Sequence, residues 1–128
     1  MTASDFVVVD SAGWVEYFAD GPKAAAFAQY LDNPEFVLLP TTVVYEVYRK
    51  LSRESTGQLA QEFLSAATGF DERVIPLDIP IAEFAAQVSL ETKLPMADAI
   101  IYASARQHRV MLVTSDAHFA GLPWVTMI

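Results

Sequence analysis

The run Phe6-Val7-Val8-Val9-Asp10-Ser11 decides how this chain is read. An unbroken apolar, β-branched run does not alternate as a half-solvated strand would. It suits a short strand buried on both faces, as in a parallel sheet covered by helices. Asp10-Ser11 then caps a helix whose apolar stripe is Trp14, Tyr17 and Phe18. Working outward, Gly21-Pro22 breaks that helix and starts another, to about Asp32, and Asn33-Pro34 turns the chain into a second strand, Phe36 to Leu39. Pro40-Thr41-Thr42 caps a longer helix lined by Val43, Val47 and Leu51, with Val44 and Tyr48 beside them. A further helix runs from about Thr56 to Ala67, and Arg73 to Ile75 is a third strand. Helices open at Ile79-Pro80, to about Thr92, and at Leu94-Pro95, from Met96 to His108. Val110 to Val113 is a fourth strand, and Trp124 to Thr126 a short fifth. Strands separated by helices imply right-handed crossovers and an α/β fold with a mostly parallel sheet of four or five strands. In such sheets ligands sit beyond the carboxyl ends of the strands.

Composition agrees. The 128 residues, 14.1 kDa, suit one domain over 1–128, whose fold buries about two-thirds of the extended chain's surface. A hydrophobic content of 53% and mean hydropathy of +0.29 exclude a disordered chain. Apolar runs fall far short of the roughly 18 residues of a membrane span. Met1-Thr-Ala-Ser-Asp5 lacks the charged and apolar segments of a signal peptide. With no cysteine there is neither disulfide nor thiolate zinc site, and a cytoplasmic location is expected. Sixteen acidic against eight basic residues leave a formal charge of −8 and a pI near 4.5. A plain electrostatic binder of nucleic acid is basic, so any polyanion must meet a local basic patch, a bound cation, or both.

Four carboxylates stand out. Val7-Val-Val-Asp10-Ser11 and Met111-Leu-Val-Thr114-Ser115-Asp116 each leave an acid and hydroxyls at a strand's carboxyl end. Either segment alone is equally well a helix cap; both together favour a site. Asp98 shares a stripe with Ile101 and Ala105 on a helix that carries no other charge before Arg106. An ionised carboxylate there is costly without a partner. The alternatives are a buried pair with an arginine and a first-turn acid favoured by the helix dipole. Glu46 lies about 60° from Val43 around its helix, and taken alone is an ordinary solvated residue. If Asp10, Glu46, Asp98 and Asp116 meet, their repulsion raises their pKa values and opposes folding unless a cation compensates. All-oxygen donors select Mg²⁺ or Mn²⁺. Such an ion activates water and neutralises phosphate charge, which suits phosphodiester hydrolysis and lets an acidic pocket accept a polyanion.

The segments Val9-Asp-Ser-Ala-Gly-Trp-Val-Glu-Tyr-Phe18, Thr42-Val-Val-Tyr-Glu-Val47, Leu94-Pro-Met-Ala-Asp-Ala-Ile-Ile-Tyr-Ala103 and Val113-Thr-Ser-Asp-Ala-His-Phe119 resemble, in order and spacing, the motif blocks of PIN-domain ribonucleases, most closely the VapC toxins of toxin–antitoxin pairs. The resemblance implies an α/β/α sandwich and a metal-dependent endoribonuclease. It implies that Asp10, Asp98, Asp116 and Glu46 hold Mg²⁺ or Mn²⁺ directly or through water, while Ser11 and Thr114 orient carboxylates or waters. It also implies a homodimer and a VapB-type antitoxin whose C-terminal segment fills the active-site groove. Arg49, Lys50, Arg53 and Arg106 are candidate RNA contacts, otherwise solvated residues at helix ends; Arg109 shares that reading. His108 and His118 are not spaced as a zinc pair and read as surface or loop residues. Trp14, Tyr17 and Phe18 read as core or dimer contacts, Asp78 as a helix cap, and Glu16 and Glu83 as exposed helix charges.

Three other readings compete. A phosphoacceptor receiver domain needs a lysine after a late strand, and none follows Thr114-Ser115-Asp116. A non-catalytic PIN-fold binding module keeps the groove without the chemistry. A nuclease acting on DNA or flap substrates uses the same metal chemistry on another polymer.

Overall fold

The protein's computed structural model describes residues 5–128. Three hydrophobic residues form β1, Val7–Val9, and the chain enters α1, Ser11–Phe18, with Asp10 as its cap. After α2, Ala24–Leu31, a single 3₁₀ turn at Pro34–Phe36 leads into β2, Val37–Pro40. The long α3, Thr41–Glu54, and α4, Gly57–Ala67, precede β3, Val74–Ile75. Next come α5, Ile79–Thr92, α6, Met96–Gln107, and β4, Met111–Thr114. A 3₁₀ turn at Ala117–Phe119 and β5, Val125–Met127, complete the described chain. Every element expected from the pattern is present. Strands are displaced by about one residue, because β-branched residues mark a strand's core but not its last hydrogen bond.

The sheet order is β3-β2-β1-β4-β5 and every pairing is parallel. The chain steps from β1 outward to β3, then crosses back to β4 on the other side of β1. Right-handed crossovers therefore place α1 to α4 on one face and α5 and α6 on the other. The packing agrees, with α1 against α2 and α3, α3 against α4, and α5 against α6. The result is a three-layer α/β/α sandwich with the reversal of strand order between β1 and β4.

The core explains the unbroken apolar run. Val8 and Val9 are fully buried between the layers, with Phe27, Leu39, Val43, Phe63, Ile101 and Leu112. Trp14 stacks edge-on to Phe63 and Phe70 and is core, while half-buried Tyr17 donates its hydroxyl to Asp32 at 2.7 Å. Gly13 is required by close approach: a Cβ there would lie 2.5 Å from the Phe27 ring and 2.7 Å from the Val9 methyl. Asp78 caps α5, accepting from the Ile81 amide at 3.0 Å, and Glu83 is exposed. Glu16 is half-buried rather than a free helix charge, because its carboxylate accepts from the Lys23 amide at 2.9 Å and ties down the α1–α2 turn. Among the described residues no helix is long and apolar enough to cross a membrane.

Candidate active site

The reversal between β1 and β4 places two carboxyl-terminal strand ends side by side. Val9 pairs with Val113, and the Asp10 amide donates to the Val113 carbonyl at 2.9 Å, so Asp10 and Thr114 emerge together. Asp10 is 1% exposed; one carboxylate oxygen accepts from the Ser11 amide at 2.8 Å and the other from the Thr114 hydroxyl at 2.9 Å. Thr114 Oγ1 in turn accepts from the Asp116 amide at 2.9 Å. Asp116 Oδ1 accepts from the His118 amide at 2.9 Å, which closes the 3₁₀ turn. Asp10 and Asp116 therefore cap their helical turns and also line the cleft between the two strand ends. Capping holds each carboxylate at a set angle to the strand end, so the two roles support each other.

Two helices complete the cleft. Glu46 is half-buried on α3, and its Oε1 accepts from the Ser11 hydroxyl at 2.8 Å. Asp98 sits in the first turn of α6 with 15% of its side chain exposed. Asp10, Glu46, Asp98 and Asp116 line one cavity of about 280 Å³ with Ser11, Ala12 and Tyr45, and Arg49, Lys50 and Arg53 form its other wall. Arg106 does not join them. It lies near the far end of α6, donating to the Tyr102 hydroxyl at 3.0 Å and stacking over the Tyr102 and Trp124 rings. The reason is length: eight residues of helix separate Arg106 from Asp98, about 12 Å at 1.5 Å per residue. Arg109 follows it there, exposed and in a left-handed conformation with φ 57°.

Burial pushes the Asp10 carboxyl up to about 7 despite the hydrogen bonds from Thr114 and Ser11, and the charges of Asp98 and Glu46 add to the rise. Asp98 is also raised, by burial first and then by Asp116 and Glu46, while His118 opposes the shift. Among the described residues no arginine or lysine pairs with any of the four acids, so a buried ion pair between Asp98 and an arginine is not formed. A cluster of oxygen donors whose ionisation is resisted by burial and mutual repulsion is what a divalent cation relieves, and these residues fit one.

Two residues of the cleft are not marked by the sequence pattern. His118 is not a detached loop residue: its Nδ1 lies 3.3 Å from Asp98 Oδ2 and 3.2 Å from Asp116 Oδ1. These three side chains offer ligand atoms within 4.8 Å of one another. The available signal was position, two residues after a capping aspartate, where a 3₁₀ turn folds a side chain back. Tyr45 is 66% exposed at the cleft, beside Glu46, and only the surface reveals that an aromatic there has no packing role.

The chain matches the PIN domain over residues 7–125. Comparison with curated protein sequences returns no match. Among solved structures it is similar to a toxin–antitoxin complex from Klebsiella pneumoniae, at 26% identity and a TM-score of 0.73, covering 94% of this chain and 96% of that one. It is similar in fold to the Mycobacterium tuberculosis toxin VapC20, which cleaves the sarcin–ricin loop, at 18% identity and a TM-score of 0.73, covering 93% and 96%. The DNA-bound VapBC of Salmonella typhimurium shares the fold at 15% identity and a TM-score of 0.71, covering 96% of each chain. The domain match spans β1 to β4 and all four acids of the cleft, and on that ground the chain belongs to the PIN-domain family, with a fold like that of VapC toxins.

Proposed function

We propose that this chain is a metal-dependent endoribonuclease and the toxin of a toxin–antitoxin pair, hydrolysing RNA phosphodiester bonds. The observation that carries this reading is the arrangement of Asp10, Glu46, Asp98 and Asp116 around one open cleft walled by Arg49, Lys50 and Arg53. Asp10, Asp98, Asp116 and Glu46 would hold Mg²⁺ or Mn²⁺, directly or through water. When bound, the ion supplies positive charge against the phosphate and raises the acidity of adjacent water. The hydroxyls of Ser11 and Thr114 keep Glu46 and Asp10 aimed into the cleft. Arg49, Lys50 and Arg53 engage backbone phosphates, which the acidic floor alone would repel. Tyr45 offers an exposed ring on which a base stacks. Water attacks, not the 2′-hydroxyl, so the products carry a 5′-phosphate and a 3′-hydroxyl.

The antitoxin belongs to the same reading, supported by likeness to a toxin that was solved in complex with its antitoxin. Its segment lies in the cleft and brings a basic side chain to the four acids, displacing RNA. A homodimer and a cytoplasmic location complete the proposal.

The test is RNA cleavage by partner-free protein with Mg²⁺, Mn²⁺ or chelator, beside Asp98→Asn prepared identically. Metal-dependent cuts with 5′-phosphate ends, absent from the variant, are expected. Equal cutting by both proteins, or none by either on total RNA, defeats the reading. Asp98→Asn keeps the fold, because removing one of several repelling charges does not cost the metal-free protein stability.

A further inference from the structure

The four acids do not form one uniform ring. Asp10 and Glu46 are tied into the hydroxyl network of Ser11 and Thr114. Asp98 and Asp116 instead converge on a nitrogen, His118 Nδ1, at 3.3 and 3.2 Å. We propose that His118 is a metal ligand of the cleft and shifts its preference from Mg²⁺ toward Mn²⁺ and later first-row ions. The inference rests on the reading of the cleft as a divalent-cation site.

Distances and anchoring support it. Two donors on neighbouring positions of an octahedral ion with bonds near 2.1 Å lie about 3.0 Å apart. On a tetrahedral ion with bonds near 2.0 Å they lie about 3.3 Å apart. The observed Nδ1–oxygen separations of 3.2 and 3.3 Å are close to this spacing, and all three ligand atoms lie within 4.8 Å of one another. His118 is also held in place. Its amide is bonded to Asp116, and the next residue, Phe119, is fully buried and pins the turn to the core. The side chain is 62% exposed with Nδ1 toward the two carboxylates, so Nδ1 gives up its proton to bind an ion while Nε2 keeps the other ring proton. Imidazole then changes the selection. Oxygen donors alone serve Mg²⁺ and Mn²⁺ alike, whereas a nitrogen donor favours transition ions in the order Mn²⁺ below Co²⁺ below Ni²⁺.

The test compares wild type, His118→Gln and Asp98→Asn, using Mn²⁺ and Mg²⁺ themselves as probes. Electron spin-echo spectra of bound Mn²⁺ report ¹⁴N coupling, and titrations give the two affinities. The chain has two histidines, and His108 lies beyond α6 with its ring on the Ser104 carbonyl, so only His118 is in reach. Wild type is expected to show ¹⁴N coupling that His118→Gln abolishes. In that variant Mn²⁺ affinity falls at least about tenfold, a loss seen even when a group that merely supports a ligand is removed. Mg²⁺ affinity falls much less, and the metal-free melting temperature is unchanged. No nitrogen coupling in wild type, or an unchanged Mn²⁺ to Mg²⁺ ratio in the variant, overturns the proposal. If Asp98→Asn meanwhile loses metal, the cation site stands and only the role of His118 falls. If Asp98→Asn binds as wild type does, both fall.

Discussion

Replacing Asp10 by asparagine should stabilise the metal-free protein, by an amount that depends on pH. Burial raises the Asp10 carboxyl from its ordinary 3.8 to about 7. The folded protein therefore keeps this proton up to about pH 7, while the unfolded chain loses it near 3.8. Between those values the folded state is penalised progressively as pH rises, fully above 7 and hardly at all below 4. At about 1.4 kcal/mol per pH unit, the full penalty is on the order of 4 kcal/mol above pH 7 and between 1 and 2 kcal/mol at pH 5. Asparagine keeps the oxygen that accepts from Ser11 and exchanges the Thr114 hydroxyl bond for a weaker one, at about 1 kcal/mol. Asp10→Asn is thus expected to exceed wild type by roughly 3 kcal/mol at pH 8 and by less than about 1 kcal/mol at pH 5. Urea unfolding in chelator at pH 5, 6, 7 and 8 measures the gap. Saturating Mn²⁺ at pH 8 should close it by stabilising wild type alone. A variant less stable than wild type at pH 8, or a gap that ignores pH, refutes the reasoning.

The packing of Gly13 and the two groups of cations give further outcomes. Gly13→Ala gains helix propensity of about 1 kcal/mol but forces a methyl group against a fully buried Phe27, at about 1–3 kcal/mol or more. A lowered melting temperature is expected, and an unchanged or raised one shows that the layers yield. Lys50→Glu with Arg53→Glu should weaken RNA binding and flatten its dependence on salt by about 0.7 in log–log slope for each phosphate no longer neutralised. Arg106→Ala should leave that slope alone and cost about 1 kcal/mol of stability by removing the stacking on Tyr102 and Trp124. Equal slopes for the two sets mean that the wall of the cleft is not where RNA lies.

The order and type of the elements were legible because each strand is built on a short apolar run and every helix but α2 opens on Asp, Thr or Pro. Asp10 and Asp116 were legible for the same reason, since the parallel fold commits strand ends to one edge. What sequence left open is distance along and around helices. Arg106 stands on the same helix as Asp98, yet that helix carries it away from the cleft. Glu46 counts because a hydroxyl from β1's end reaches over to it, a contact spanning 35 residues. For His118 the zinc spacing compares histidines with one another, whereas its partners are carboxylates from a helix and a strand end. Lys93 and Arg109 take left-handed conformations after α5 and α6 without the glycine that would announce them.

The hydrogen bond from Thr114 to Asp10 joins residues 104 positions apart. β1 is made first during synthesis, but its neighbour on the cleft side, β4, comes after α6. No partial chain lacking β4 can bring Asp10 beside Asp116, however well its earlier helices pack. Loop-closure entropy also makes this pairing among the slowest to form. The cleft is consequently incomplete until β4 has been made, and it forms only when β4 pairs with β1. For a protein that would cut RNA, the topology itself sets the moment at which it becomes dangerous to the cell that makes it.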